Sequence, residues 1–307
     1  MTDRVDVAIV GAGPAGLAAA LSLVRARRSV VVLDSARPRN AATLSSHGFL
    51  TRDGISPLEL RRLGAAEVEG YGGRVIRTVV TSVSPLERAE ATVEFSVQAE
   101  ARGSSTPTEV VASAVVLATG LTETLPALPT LRAFYGTALH SCVDCDGWEK
   151  RDALLALIGE SDDLAERARY LANWSDDLIV FTNGVGRVSD ADEAELRSRG
   201  IRVERRVIAD IAGTGQEGMT GVVLEDGETI PRTAGFVRPG WVPSLAFLDV
   251  DLARTADGSL ATDGAGRTSA PGVYAAGDIV DGPQQLLVAA GDGARTAGAV
   301  LRDLLAR

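Results

Sequence analysis

Gly11-Ala12-Gly13-Pro14-Ala15-Gly16 is the segment that most constrains the fold. It follows a short apolar run, Arg4–Val10, and opens a helical stretch predicted over Pro14–Arg27. Proline suits the first helical turn, where its missing N–H would have no partner anyway. Ser29–Leu33 reads as a second buried strand, so a βαβ unit starts the chain. In that setting Gly11 permits a tight turn, Gly13 lets a pyrophosphate approach the backbone, and Gly16 allows close helix–strand packing. The helix start at Pro14 presents free N–H groups, from Ala15 onward, and a positive dipole end to phosphate. Asp34 follows the second strand, where an acid binds ribose hydroxyls. A glycine turn without a ligand would not explain why strand, spacing and acid all agree. A dinucleotide site is expected.

The rest of the chain predicts a second α/β pattern. Its strands are expected at Leu154–Ile158, Leu178–Thr182 and Ala234–Val237, with helices over Asp162–Asn173 and Asp190–Arg199. Between the two patterns lie strands expected over Val75–Val83, Ala91–Ala99, Glu109–Ala112 and Ala114–Ala118. The tail, Gly272–Ala276 and a long terminal helix, returns to the first pattern. The expected fold class is therefore α/β, with two Rossmann-like, three-layer dinucleotide domains. The first is discontinuous (residues 1–120 and 241–307) and the second (121–240) is inserted within it.

Charge narrows the partners. A net charge of −10 argues against nucleic acid and against an anionic membrane surface. Lys150 is the single lysine, and the arginines form no basic run. The uncharged stretch from Val7 to Val24 is long enough to suggest a membrane span, but its glycines and Pro14 fit strand-turn-helix better. No signal peptide is evident, so a cytoplasmic protein is expected.

Both cysteines fall in Cys142-Val143-Asp144-Cys145. A disulfide closing so small a loop restrains the unfolded chain little, so it is a poor staple. A dithiol–disulfide couple that opens and closes in turnover is the better reading. No metal is expected, because the two histidines, His47 and His140, do not complete a zinc-ligand spacing with it.

Thr268-Ser269-Ala270-Pro271-Gly272-Val273-Tyr274-Ala275-Ala276-Gly277-Asp278 resembles the C-terminal FAD motif of the flavoprotein disulfide reductases with two dinucleotide folds. That resemblance implies FAD, with Gly277 and Asp278 at the ribityl and pyrophosphate region. It also implies that the helix starting at Gln284-Gln285 faces the flavin pyrimidine, where positive dipole stabilises charge on the reduced ring. With Ala118-Thr119-Gly120 and Cys142-Val143-Asp144-Cys145-Asp146-Gly147, the chain is similar end to end to low-molecular-weight thioredoxin reductases. By the same resemblance Cys145 faces flavin C4a, Cys142 is the interchange thiol, and Asp146 is an acid–base residue. The remaining cofactor-binding candidates are Ser35, Arg39, Asn40, His47, Thr119 and Gly120, and a homodimer is expected.

The departure lies in the inserted domain. Where a thioredoxin reductase carries its NADPH turn, this chain has Gly159-Glu160-Ser161-Asp162-Asp163-Leu164, with one glycine and three acids. Carboxylates at a helix start repel a pyrophosphate. Thr182-Asn183-Gly184, with only Arg187 nearby, replaces the basic cluster that grips a 2′-phosphate. Pro38-Arg39-Asn40, His47-Gly48-Phe49 and Gly147-Trp148-Glu149 resemble the NADPH-independent relatives. Among these are the dithiol oxidases that close gliotoxin- and holomycin-type disulfides with FAD and O2, releasing H2O2. The expected substrate is a small-molecule dithiol. His140 is the first candidate base and Asp146 the second; a histidine that only hydrogen-bonds backbone is the equally weighted alternative. The competing functions are a reductase fed by NADPH or by another donor such as ferredoxin, and a flavin-bound redox sensor.

Overall fold

The computed structural model describes residues 3–86, 93–100, 107–215 and 217–307. They form two compact units. One contains residues 1–41, 49–122 and 242–307, and the other contains residues 42–48 and 123–241.

In the first unit, Asp3–Val10 lies between Val30–Asp34 and the long strand Pro107–Leu117, parallel to both. Arg74–Arg77 extends the sheet beyond Val30–Asp34, and Val273–Ala275 pairs with the far half of Pro107–Leu117. An antiparallel meander, Val79–Leu86 and Glu94–Glu100, pairs with its first half. The central strands read Val-Ala-Ile-Val and Val-Val-Val-Leu because both faces are covered, the signature of a parallel sheet. The helices Pro14–Arg25 and Leu286–Leu305 pack together on one face, with Leu23, Ala297 and Val300 in the core. Asp3–Val10 has neighbours reached in opposite directions, so the carboxyl end of the sheet has a topological switch point.

The second unit has a five-stranded parallel sheet in the order Arg202–Glu204, Leu178–Phe181, Leu155–Gly159, Ala234–Arg238, Leu139–His140. Helices Leu164–Leu171 and Asp190–Ser198 pack on it, and an antiparallel meander (Ile208–Thr214, Gly218–Leu224, Thr229–Pro231) joins its core.

Several local expectations change. The stretch 75–83 is two strands, because Thr78 leaves the ladder to donate its N–H to the Asp34 carbonyl. The two strands expected over 109–118 are one, Pro107–Leu117. Of the strand expected over 91–99, residues 91 and 92 lie outside the described residues. The helix expected from Asp162 begins at Leu164, with Asp163 as its cap residue. Ile208–Thr214 was not foreseen; Asp210 and Gly213 interrupt its apolar alternation. Among the described residues, no helix is long and apolar enough to cross a membrane.

Candidate active site

The glycine turn of the first unit is built as its spacing requires. Gly11 has φ +105°, and a Cβ there would lie 2.3 Å from the Ala118 carbonyl oxygen. A Cβ on Gly16 would lie 1.9 Å from the Gly11 carbonyl oxygen, so only glycine lets the helix start this close to the strand. Gly13 caps the helix without a side-chain bond, and no atom of the described residues lies within 4 Å of the Cβ it lacks. Asp34 Oδ1 accepts the Ala12 N–H at 3.0 Å, and Oδ2 accepts from Ala36 N at 3.0 Å and from Arg61 Nη2. Arg61 Nε also donates to the Ala12 carbonyl at 3.3 Å. Sequence reasoning missed Arg61, which sits on an otherwise ordinary polar helix with no motif to mark it.

The other expected cofactor residues of this unit converge on the same edge. Gly277 packs so close to Ala15 that a Cβ would lie 2.8 Å from the alanine methyl. Arg39 Nη2 donates to Asp278 Oδ2 at 2.8 Å. Ala118 N donates to the Val10 carbonyl, which sets Thr119 and Gly120 just past the strand ends. Among the described residues, Thr119 Oγ1 is buried without a hydrogen-bond partner, and none lies within 4 Å of a Cβ on Gly120. Asn40 is half-buried beside Arg39, Ser35 is exposed, and Gln285 caps the helix Leu286–Leu305 with Gln284 before it. An orphaned buried hydroxyl, an unfilled helix start and two held carboxylates together fit a dinucleotide. His47 belongs to the second unit, where its Nε2 lies 3.7 Å from Glu149 Oε1.

Cys142 and Cys145 form a disulfide in the second unit, with Cα atoms 5.3 Å apart. The turn follows the edge strand Leu139–His140. Cys142 caps the short helix Val143–Asp146, and its Sγ accepts the Cys145 N–H at 3.2 Å. His140 is buried, 6 % exposed, and its Nδ1 lies 2.9 Å from Asp146 Oδ1. Its Nε2 lies 2.8 Å from the Thr137 carbonyl oxygen. A carbonyl only accepts, so Nε2 carries a hydrogen and the exchangeable proton of the pair sits between Nδ1 and Asp146. The two candidate bases are thus one unit, and the backbone-bonding role of His140 coexists with it.

The second strand-turn-helix is closed by its own side chains. Leu164 occupies the position of the third glycine and is fully buried; its methyls lie where Cβ atoms on Gly159 and Gly186 would come within 2.6 and 2.7 Å. Asp163 accepts from Ser161 Oγ at 2.5 Å, and from Arg167 Nε and Arg238 Nε at 2.8 Å each. Burial pushes the Asp163 carboxyl up. The Ser161 hydroxyl and the two guanidinium groups outweigh this and hold it down at about 2. Arg238 also stacks on Trp241, 4.2 Å from the ring centre. At the next strand end, Asn183 Nδ2 donates to Glu160 Oε1 at 2.7 Å. Arg187, by contrast, takes no part in these contacts. Among the described residues, no cluster of three or more metal-ligating groups occurs.

Residues 5–293 match the family model for pyridine nucleotide-disulphide oxidoreductases. The chain belongs to that family. A crystal structure of HlmI is 36 % identical with a TM-score of 0.92, covering 100 % of this chain and 95 % of that one. A thioredoxin reductase of Streptomyces clavuligerus is 30 % identical, covering 97 % of this chain and 93 % of its own length. A probable thioredoxin reductase of Arthroderma benhamiae is 34 % identical over 182 residues, 59 % of this chain and 44 % of its own length. The protein is a thioredoxin-reductase-like flavin disulfide oxidoreductase, and its cofactor is FAD.

Proposed function

We propose that this flavoprotein oxidises a small-molecule dithiol to an intramolecular disulfide, with O2 taking the two electrons and leaving as H2O2. The observation that carries the reading is the closed second turn beside an intact redox turn. Where a nicotinamide nucleotide would bring its pyrophosphate, the unit presents the Leu164 side chain and a carboxylate already paired with Arg167 and Arg238. Electrons then enter through Cys142 and Cys145.

The cycle starts at the His140–Asp146 pair, which takes the proton of one substrate thiol. The resulting thiolate attacks Cys142 Sγ; the Cys142–Cys145 bond breaks, and Cys145 leaves as a thiolate. The second substrate thiol gives its proton to the Cys145 thiolate and attacks the substrate sulfur of the mixed disulfide; the bond to Cys142 breaks, releasing the product disulfide and a Cys142 thiolate. The Cys145 N–H holds negative charge on that sulfur. Gly11, Gly13, Gly16, Asp34, Thr119, Gly120, Arg39, Asp278 and the helix after Gln284-Gln285 would hold FAD, with Ser35 and Asn40 assigned by resemblance. Bound FAD supplies the two-electron acceptor that O2 regenerates. The sum is R(SH)2 + O2 → RS2 + H2O2.

The test is aerobic incubation of the purified yellow protein with a heteroaromatic dithiol and no NADPH, following peroxide and product disulfide. Stoichiometric peroxide and disulfide, abolished in Cys142→Ser and Cys145→Ser, are expected. Fast bleaching of the flavin by NADPH alone would overturn the reading.

A further inference from the structure

Lys150, the chain's single lysine, donates from Nζ to the Thr137 carbonyl oxygen at 2.6 Å. The same oxygen takes the His140 Nε2–H at 2.8 Å. Two donors therefore share one acceptor, and one of them is an ammonium. We infer that Lys150 is a positioning residue for proton transfer, holding the Thr137 carbonyl that fixes the Nε2–H tautomer of His140 and, by its charge, favouring loss of the proton shared between Nδ1 and Asp146.

The sign follows from charge counting. With its proton the pair is neutral, whether written as imidazolium and carboxylate or as imidazole and carboxylic acid. Without the proton it carries one negative charge, because Nε2–H stays on the Thr137 carbonyl. A nearby cation stabilises the anionic form, so Lys150 favours the state of the pair that can accept a thiol proton. Several charged groups on the surrounding elements have their own partners, and Arg151, next to Lys150, donates to the Trp148 carbonyl and lies over its ring. Glu149, on the same turn as Lys150, lies beside His47, and Asp144 on the redox turn accepts from Tyr170. Glu123 accepts from Ser141 and Trp241, and Arg238 at the end of the neighbouring strand is committed to Asp163. Asp146 and the Thr137 carbonyl are the hydrogen-bond partners of the imidazole.

The proton step belongs to cleavage of the Cys142–Cys145 disulfide by a thiol. It rests on that exchange within the proposed cycle and not on the identity of the final electron acceptor. The thiol S–H breaks and its proton goes to the pair; the new thiolate breaks the protein disulfide, and Cys145 departs with the electron pair. Dithiothreitol is a sufficient reductant. The experiment uses anaerobic holoenzyme and measures the rate of disulfide opening by quenched alkylation and mass spectrometry across pH 5 to 9 (~). Wild type, Lys150→Met, Lys150→Gln and Lys150→Arg are compared.

Ionisation of dithiothreitol is common to all four and cancels in the rate ratios. On the low-pH limb Lys150→Met and Lys150→Gln should be about fivefold slower than wild type, the effect of one partly screened charge several ångströms away. Their ratio to wild type should return to unity at high pH, and Lys150→Arg should track wild type throughout. A pH-independent ratio in both neutral variants, or a loss in Lys150→Arg equal to that in Lys150→Met, overturns the assignment. If dithiol oxidation by O2 fails while these ratios behave as stated, only the proposed overall reaction falls.

Discussion

Two turns in this molecule start alike and end differently. Gly11 to Gly16 and Gly159 to Leu164 each leave the carboxyl end of a central parallel strand and open a helix. In the first, the chain turns through a left-handed glycine, and the helix starts at Pro14, against a backbone oxygen that no Cβ would clear. In the second, Gly159 lacks the left-handed conformation, the helix starts at Leu164, and a leucine side chain fills the gap. The first acid, Asp34, holds its own turn through Ala12 N and Arg61. The second, Asp163, is paired with Arg167 and Arg238. A dinucleotide site therefore depends less on a strand-turn-helix frame than on backbone left uncovered at the helix start. Side chains that satisfy the frame internally leave less of that backbone open.

The largest effect should come from exchanging glycine for alanine at the two first positions. Gly11→Ala places a methyl 2.3 Å from the Ala118 carbonyl oxygen in a strained backbone conformation, a cost of about 3 kcal/mol or more. The expected outcome is a protein that purifies with little flavin, read from the 450-to-280 nm absorbance ratio (~). Gly159→Ala meets a Leu164 methyl at 2.6 Å and the Arg238 Cβ at 2.9 Å, so about 2 kcal/mol is lost within the second unit while full flavin content is expected. Equal flavin loss in both variants would break the contrast.

Leu164→Ala comes next. Removing a fully buried leucine should cost about 3 kcal/mol, seen as a lower urea midpoint. Opening that space leaves Asp163 on its arginines, so NADPH should still not bleach the flavin anaerobically. A variant that NADPH does reduce would show that leucine alone, not the carboxylate, closes the turn.

Most of the frame was legible beforehand because buried parallel strands and glycine turns leave strong local patterns. Gly11, Gly13, Gly16 and Asp34 announce themselves by spacing, and the acids of 160–163 by their sign. What the sequence could not disclose were partners distant along the chain. Arg61 lies on Asp34, Arg238 on Asp163 and Lys150 on the carbonyl behind His140, each through a tertiary contact with no periodicity or motif. The pairing of His140 with Asp146 was missed for another reason. Each was a separate candidate base, and only the helical turn Val143–Asp146 brings the carboxylate back onto the preceding strand's imidazole.

The smallest expected effect tests the carboxylate itself. Asp163→Asn keeps size and the Ser161 contact but removes the charge facing Arg167 and Arg238. The wild-type carboxyl is held at about 2, below its usual 3.8, so the folded state binds its proton less tightly than the unfolded chain. The stabilisation is therefore complete above the unfolded value and lost as pH falls through about 2. Asp163 is only about half buried, so solvent screening reduces the gain to about 1 kcal/mol. Trp148, Trp174 and Trp241 are the three tryptophans and all lie in the second unit, so their fluorescence reports that unit's unfolding. Wild type should exceed Asp163→Asn by about 1 kcal/mol in urea from pH 5 to 7, with the gap narrowing below about pH 4. A gap that stays constant down to pH 3 (~) would mean that packing around residue 163, and not its charge, holds the second turn closed.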